Sequence, residues 1–314
     1  MGSQEKYLKP EVIQQVKRLD LRAKFIVEGF LVGLQKSPFF GFSAEFSEHQ
    51  KYEPGDDIAR IDWSVFARTD RYYIKRFQAE TNLIAMLLID LSRSMDYPPP
   101  ENRDESQLTK FEYAVSLAAA LTYLMVHQSD SVGLATFDSA VRTNLAPKSR
   151  RTQLGAIIGS LAAATPTGQT NLPRALEEAA ALMRHRGLVI LFSDLLPSET
   201  GEGSIDDEVA AVMHSLHHFK HRGNDVIIFH VLDRSEVEFD FKGTTKFLGV
   251  ESPLELPPTD ARALRAAYLE ELTSFRDRYK RECQKAGIDF VPLHTGMPFD
   301  KALVSYLMER RHKF

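Results

Sequence analysis

The residues of this chain best suited to chemistry fall in three short segments: Asp90-Leu91-Ser92-Arg93-Ser94, Gly168-Gln169-Thr170-Asn171-Leu172, and Ser193-Asp194. Two carboxylates, Asp90 and Asp194, and three hydroxyls, Ser92, Ser94 and Thr170, are the donors they offer. Oxygen ligands without Cys or His suit a hard divalent ion, Mg²⁺ or Mn²⁺, which favours octahedral oxygen coordination. Taken one at a time, each segment is explained by helix capping, the commonest use of Ser, Asp and Asn after a strand. Only their placement in a fold can bring them together.

The elements around them predict that placement. Leu83 to Asp90 is continuously apolar and ends on a carboxylate, as a fully buried strand does. Lys110 to His127 carries Tyr113, Leu117, Leu121 and Leu124 at helical spacing. Ser131 to Phe137 and Val141 to Leu145 read as a strand pair about a turn at Asp138-Ser139. Helices follow at 152–163 and 172–184, a buried strand at 187–192, a helix at 206–222 and a strand at 225–232. A helix over 260–286, a strand over 288–293 and a helix from Phe299 to Arg310 close the chain, and turn residues between Phe239 and Leu256 suggest a small hairpin. Alternating strands and helices predict an α/β fold with an open, mostly parallel sheet flanked by helices. In such sheets ligands bind at the carboxyl ends of strands, where all three segments would lie.

Composition excludes several functions. The 314 residues carry a formal charge of −4, which gives no general reason to bind nucleic acid or an anionic membrane. A single cysteine, Cys283, rules out an internal disulfide framework and fits a reducing, cytoplasmic setting. The densest apolar run, Leu83 to Ile89, is far shorter than the roughly 18 residues of a spanning helix, so no membrane span is expected.

Asp90-x-Ser92-x-Ser94, Thr170 in a G-x-T-N-L context and Asp194 in F-S-D-L resemble the metal-ion-dependent adhesion site of von Willebrand factor type A domains. The resemblance implies a von Willebrand factor A-like, Rossmann-like domain. It also implies that Ser92, Ser94 and Thr170 ligate Mg²⁺ or Mn²⁺ directly, while Asp90 and Asp194 act through water. A carboxylate from another protein would complete the shell. The upstream segments Gly41 to Phe46, Tyr52-Glu53-Pro54-Gly55-Asp56-Asp57, Arg60-Ile61-Asp62-Trp63, Ala67-Arg68 and Phe77 to Glu80 resemble the signature of the bacterial family called domain of unknown function 58. Gln50 and Ser64 stand where that signature leads one to expect basic residues. The resemblance implies a non-enzymatic adaptor whose partner is a MoxR-type AAA+ ATPase acting on a client protein. Two other readings stay open: a Mg²⁺-dependent phosphohydrolase with Asp90 as nucleophile, and a structural subunit whose metal only stabilises the fold. The expected organisation is a family-signature region over 1–80, a helix plus extended segment packed on the sheet domain. A type A-like domain over 81–314 follows, with an insertion near 236–258.

Other constellations have simpler explanations. His214, His217, His218 and His221 have zinc-ligand spacing, but Val209, Val212, Leu216 and Phe219 mark the opposite side of that helix as buried. The histidines therefore read as a solvated stripe. Gly33-Leu34-Gln35-Lys36-Ser37 lacks the Gly before Lys that a phosphate loop needs. Asp56, Asp57 and Asp62 are explained by a turn and ion pairs, Trp63 is expected as a core or interdomain anchor, and Cys283 as inert. No Gly/Ser- or Pro-rich tether separates residues 35–80 from the sheet domain, so limited proteolysis should not release an intact fragment beginning at about residue 80. Rapid accumulation of that fragment on a gel would refute the packed arrangement.

Overall fold

The computed structural model describes residues 43–51, 63–80 and 83–299, apart from short breaks at 100, 102, 104–106, 128, 151, 198–203 and 252–256. The segment 11–34, whose apolar spacing predicts a helix, the segment Pro54-Gly55-Asp56, whose residue types predict a turn, the acids Asp56, Asp57 and Asp62, the Gly33–Ser37 segment and the helix beyond Phe299 lie outside the described residues.

Strand β1 (Ser43–Lys51) pairs antiparallel with β2 (Tyr73–Glu80), and helix α1 (Trp63–Thr69) lies between them in the chain. Trp63 departs from expectation. It is 58% exposed and meets Phe66 edge-on at 6.1 Å, while Phe66 stacks on Tyr72 at 4.5 Å. A sole tryptophan reads as core on hydrophobicity alone, but here it caps one end of a short aromatic row.

The main body is one six-stranded sheet. Its strands are β3 (Ile84–Asp90), β4 (Ser131–Phe137), β5 (Val141–Lys148), β6 (Leu188–Ser193), β7 (Asp225–Leu232) and β10 (Asp289–His294), in the spatial order β10-β7-β6-β3-β4-β5. All neighbours are parallel except β4 and β5, which a tight turn joins antiparallel. The α/β, mostly parallel sheet expected from the alternation is therefore present. Helices α2 (Lys110–His127), α3 (Thr152–Ala163), α4 (Leu172–Leu182), α5 (Ile205–His221) and α7 (Ala261–Ala286) flank it.

The alternation of side chains along β3 divides the core into two layers. Ala85, Leu87 and Ile89 share a cluster with Phe111, Leu117, Ile157 and Leu161, from α2 and α3. Met86 and Leu88 belong to the other, with Leu176, Val212, Leu216, Phe275 and Tyr279, from α4, α5 and α7. A strand covered on both faces needs a continuous apolar run, which is why β3 and β6 were legible as unbroken hydrophobic segments. Cys283 lies within the second cluster, with its thiol 3.8 Å from the Met213 sulfur, and packs as a small hydrophobe. The four histidines of α5 are exposed, as the helical pattern requires.

Each sheet edge carries a proline, Pro147 in β5 and Pro292 in β10, a residue that lacks the N–H a central strand must donate. β5 runs three residues past its expected end because an edge strand tolerates Pro147. Between β7 and α7 the chain forms a short helix, α6 (Arg234–Glu238), and a two-residue ribbon of β8 (Thr244–Thr245) with β9 (Thr259–Asp260). A hairpin is expected within Phe239 to Leu256, but β8 pairs with a strand just beyond that segment, and a helix that composition did not reveal precedes them.

Candidate functional site

The chain leaves β3 for β4 on one side and later returns to place β6 on the other. The carboxyl ends of β3 and β6 therefore border the switch point of the sheet, where an open α/β fold presents its crevice. Asp90 is the last residue of β3, and Asp194 directly follows β6. Both are fully buried.

Local hydrogen bonds fix these side chains. The Ser92 N–H donates to Asp90 Oδ1 at 2.8 Å, and the Ser193 hydroxyl donates to Asp90 Oδ2 at 2.6 Å. Ser92 Oγ and Ser94 Oγ stand 3.0 Å apart, with Ser94 in the single 3₁₀ turn Arg93–Asp96 that follows β3. The 168–172 loop is tied to this turn through its backbone: the Arg93 N–H donates to the Gly168 carbonyl at 2.8 Å, and the Gly168 N–H donates to the Leu91 carbonyl at 3.4 Å. Position 168 must be glycine, because a Cβ there would collide with the Asp138 carboxylate. Two residues on, Thr170 is nearly buried at the rim. All five residues singled out from the sequence thus lie at one end of the sheet.

Two buried carboxylates side by side pose an electrostatic problem. Burial, and then the charge of Asp194, push the Asp90 carboxyl up to about 7. Asp194 moves the opposite way: burial opposes its charge, but the Lys110 ammonium outweighs that and holds the carboxyl below its usual range. Lys110, the first residue of α2, donates to Asp194 Oδ2 at 2.8 Å and to Glu236 Oε1 at 3.0 Å. Burial works against the lysine's charge as well, yet these two partners raise its pKa above normal. Its ammonium also faces the Tyr97 ring at 5.7 Å. Beneath Asp194, His230 on β7 is held neutral by burial, its pKa lowered to about 3. Its Nε2 lies 2.9 Å from the Asp194 carbonyl, and since a carbonyl only accepts, that nitrogen carries the proton.

The donor set fits a small hard cation. Adjacent ligands of an octahedral ion held at about 2.1 Å are about 3 Å apart, the separation of the two serine hydroxyls. Among the described residues no group of three or more His, Cys, Asp or Glu could hold a metal, so hydroxyls are indispensable to any metal site at this rim. Ser92, Ser94 and Thr170 are the direct donors such an ion would use. Asp90 and Asp194, whose oxygens already accept protein hydrogen bonds, suit contacts through water.

Several residues at the rim escaped the sequence reading. Lys110 resembles any surface lysine at a helix start, and its pairing is purely tertiary. Glu236 had a local signal, because Asp233 and Glu236 form a capping box for α6. Glu251 had none. It comes from the insertion, and its carboxylate accepts from the Thr170 hydroxyl at 2.8 Å and the Thr170 N–H at 3.0 Å. Ser94, Tyr97, Lys110, Leu196, Glu236 and Glu251 line a cavity of about 60 Å³ over the site.

Comparison with known proteins gives the following. The model of the family described as Protein of unknown function DUF58 matches residues 48–278. The chain is 25% identical over 305 residues to Uncharacterized protein Rv1480 of Mycobacterium tuberculosis, covering 96% of this chain and 90% of that one. Uncharacterized protein Mb1516 of Mycobacterium bovis matches to the same extent, 25% over 305 residues with 96% and 90% covered. Among solved structures, it is similar to the conserved hypothetical protein BatB from Bacteroides thetaiotaomicron at 14% identity, over 73% of this chain and 99% of that one, with a TM-score of 0.40. It is also similar to the SpRpn10 VWA domain at 14% identity, over 71% and 94%, with a TM-score of 0.37. Among the described residues no helix is long and apolar enough to cross a membrane.

The charge arrangement makes two predictions. Lys110→Met leaves Asp194 buried without its cation and should cost about 3–5 kcal/mol in urea unfolding. A carboxyl whose folded pKa is raised stabilises the fold fully below its unfolded value of 3.8, and that contribution is lost as pH rises through about 7. Asp90→Asn removes this penalty. In EDTA, its urea midpoint should exceed that of the wild type at neutral pH, with the gain shrinking as pH falls toward 3.8. A gain that is constant with pH would show that Asp90 is not the titrating group.

Proposed function

The chain belongs to the DUF58 family, and from that premise and the geometry of its rim we propose a non-enzymatic, metal-dependent protein-interaction module. The observation that carries this reading is the convergence of Ser92, Ser94 and Thr170 with Asp90 and Asp194 at the switch point, with the two serine hydroxyls 3.0 Å apart.

A bound Mg²⁺ or Mn²⁺ would supply a positive centre able to accept a carboxylate from another protein. The protein's own residues prepare that centre. Neutral hydroxyls leave the ion's charge largely unspent, Lys110 offsets Asp194, and Ser193 together with the Ser92 N–H orients Asp90. The partner implied by the family resemblance is a MoxR-type AAA+ ATPase, with this chain as its adaptor toward a client protein in the cytoplasm.

A phosphohydrolase reading is less well supported. Phosphatases that use an Asp at this strand end need a second carboxylate two residues on, where this chain has Ser92. Asp90 is also buried with both oxygens already engaged, a poor presentation for a nucleophile. A purely structural metal is the remaining rival, and the test separates it.

Titration calorimetry should show weak uptake of one Mg²⁺ or Mn²⁺ by the wild type and none by Asp90→Ala, because few charged ligands oppose the ion's reluctance to dehydrate. Thr170→Ala should lower stability by roughly 1 kcal/mol while weakening capture of the ATPase by about 2–5 kcal/mol, and EDTA should mimic it. A Thr170→Ala protein that melts early yet still binds its partner in EDTA would mean that the metal is structural.

A further inference from the structure

The insertion between β7 and α7 is anchored as a unit. Phe239, at the end of α6, packs on Tyr268 of α7 at 4.5 Å and on Phe247 at 5.8 Å, and Phe241 meets Phe247 edge-on at 5.7 Å. Arg265 of α7 donates to the carbonyls of Glu238 and Phe239, and the Ala261 N–H donates to the Gly243 carbonyl. From this base the chain runs on to Val250 and Glu251, which border the cavity above the site.

Glu251 is tied to the rim through Thr170. Both of its oxygens accept from Thr170, one from the hydroxyl at 2.8 Å and the other from the N–H at 3.0 Å. The threonine expected to ligate the ion directly is thus already engaged by a carboxylate. The cavity beside it is small, about 60 Å³, and Glu251 forms part of its wall. An incoming carboxylate and Glu251 require the same space and the same kind of contact.

We propose that Glu251 is an internal ligand of the site. The insertion supplies the chain's own carboxylate to the position that an external carboxylate takes, and a partner binds only by displacing it. This inference rests on the reading of the rim as a metal-dependent carboxylate receptor. A tethered carboxylate competes at an effective concentration in the millimolar range, so it would set a threshold that weak acidic ligands do not cross. The selected partner is then one whose acidic residue is backed by further contacts that help lift the insertion from Thr170.

The experiment uses the full chain and a short peptide carrying a single glutamate, with its glutamine version as control. Binding is measured by titration calorimetry in saturating Mg²⁺, and Mg²⁺ uptake is measured separately without peptide. Wild type is compared with Glu251→Ala and with Glu251→Gln, which keeps the shape but loses the charge, and thermal melts confirm that all are folded. The expected result is about tenfold or more tighter binding of the glutamate peptide by both variants, as removal of a competing bound state requires, with Mg²⁺ uptake retained. Unchanged or weaker peptide binding by variants that still take up Mg²⁺ would overturn the internal-ligand assignment and leave the receptor reading intact. A sharp loss of Mg²⁺ uptake in both variants without a gain in peptide binding would also overturn it, making Glu251 a residue that helps hold the ion. Absence of Mg²⁺ uptake by the wild type itself would overturn the receptor reading and the internal ligand together.

Discussion

The buried ammonium of Lys110 is the interaction on which this end of the molecule depends. Asp90 and Asp194 converge because the sheet reverses its strand order between β3 and β6. Without a cation, two carboxylates in that crevice would repel each other in a medium that stabilises neither. Lys110 resolves half of the conflict by keeping Asp194 ionised. It leaves the other half standing, since Asp90 still titrates far above its ordinary range. That residual imbalance is a cost the fold carries, one that an apolar or amide side chain at the end of β3 would not impose.

The same lysine couples the site to its surroundings. Through Glu236 it fastens α6 over the rim, and α6 starts the insertion that carries Glu251. Its support is backed from below by His230, whose neutral ring holds the Asp194 carbonyl and stacks on Phe290 at 5.4 Å. One charged side chain therefore links the central strands, the start of α2 and the insertion into a single polar network. Partly exposed pairs such as Arg174 with Glu178 lie far out on the helix surfaces and add little by comparison.

The scaffold was legible in the sequence where a single force dominates. Strands buried on both faces must be continuously apolar, so β3, β6 and β7 announced themselves, and the residues at their ends pointed to the crevice. Asp90, Ser92, Ser94, Thr170 and Asp194 could be singled out because their places follow from strand ends and loop chemistry, both local properties. Trp63 misled because hydrophobicity reports what a residue tolerates and not where the chain puts it. Lys110 and Glu251 were illegible for a different reason. Their partners lie 84 and 81 residues away along the chain, and nothing in their neighbourhoods distinguishes them from the many charged residues on the surface.

The prolines at the two outer strands limit how this molecule can meet others. Pro147 and Pro292 sit in the two outer strands, each without a backbone N–H to offer, and β5 alternates half-buried with exposed residues and adds the charges of Arg142 and Lys148. An incoming extended segment meets a proline in each outer strand and charge along β5, features that discourage growth of the sheet by strand addition. Copies of the chain crowded together are thereby kept from zipping edge to edge into ribbons.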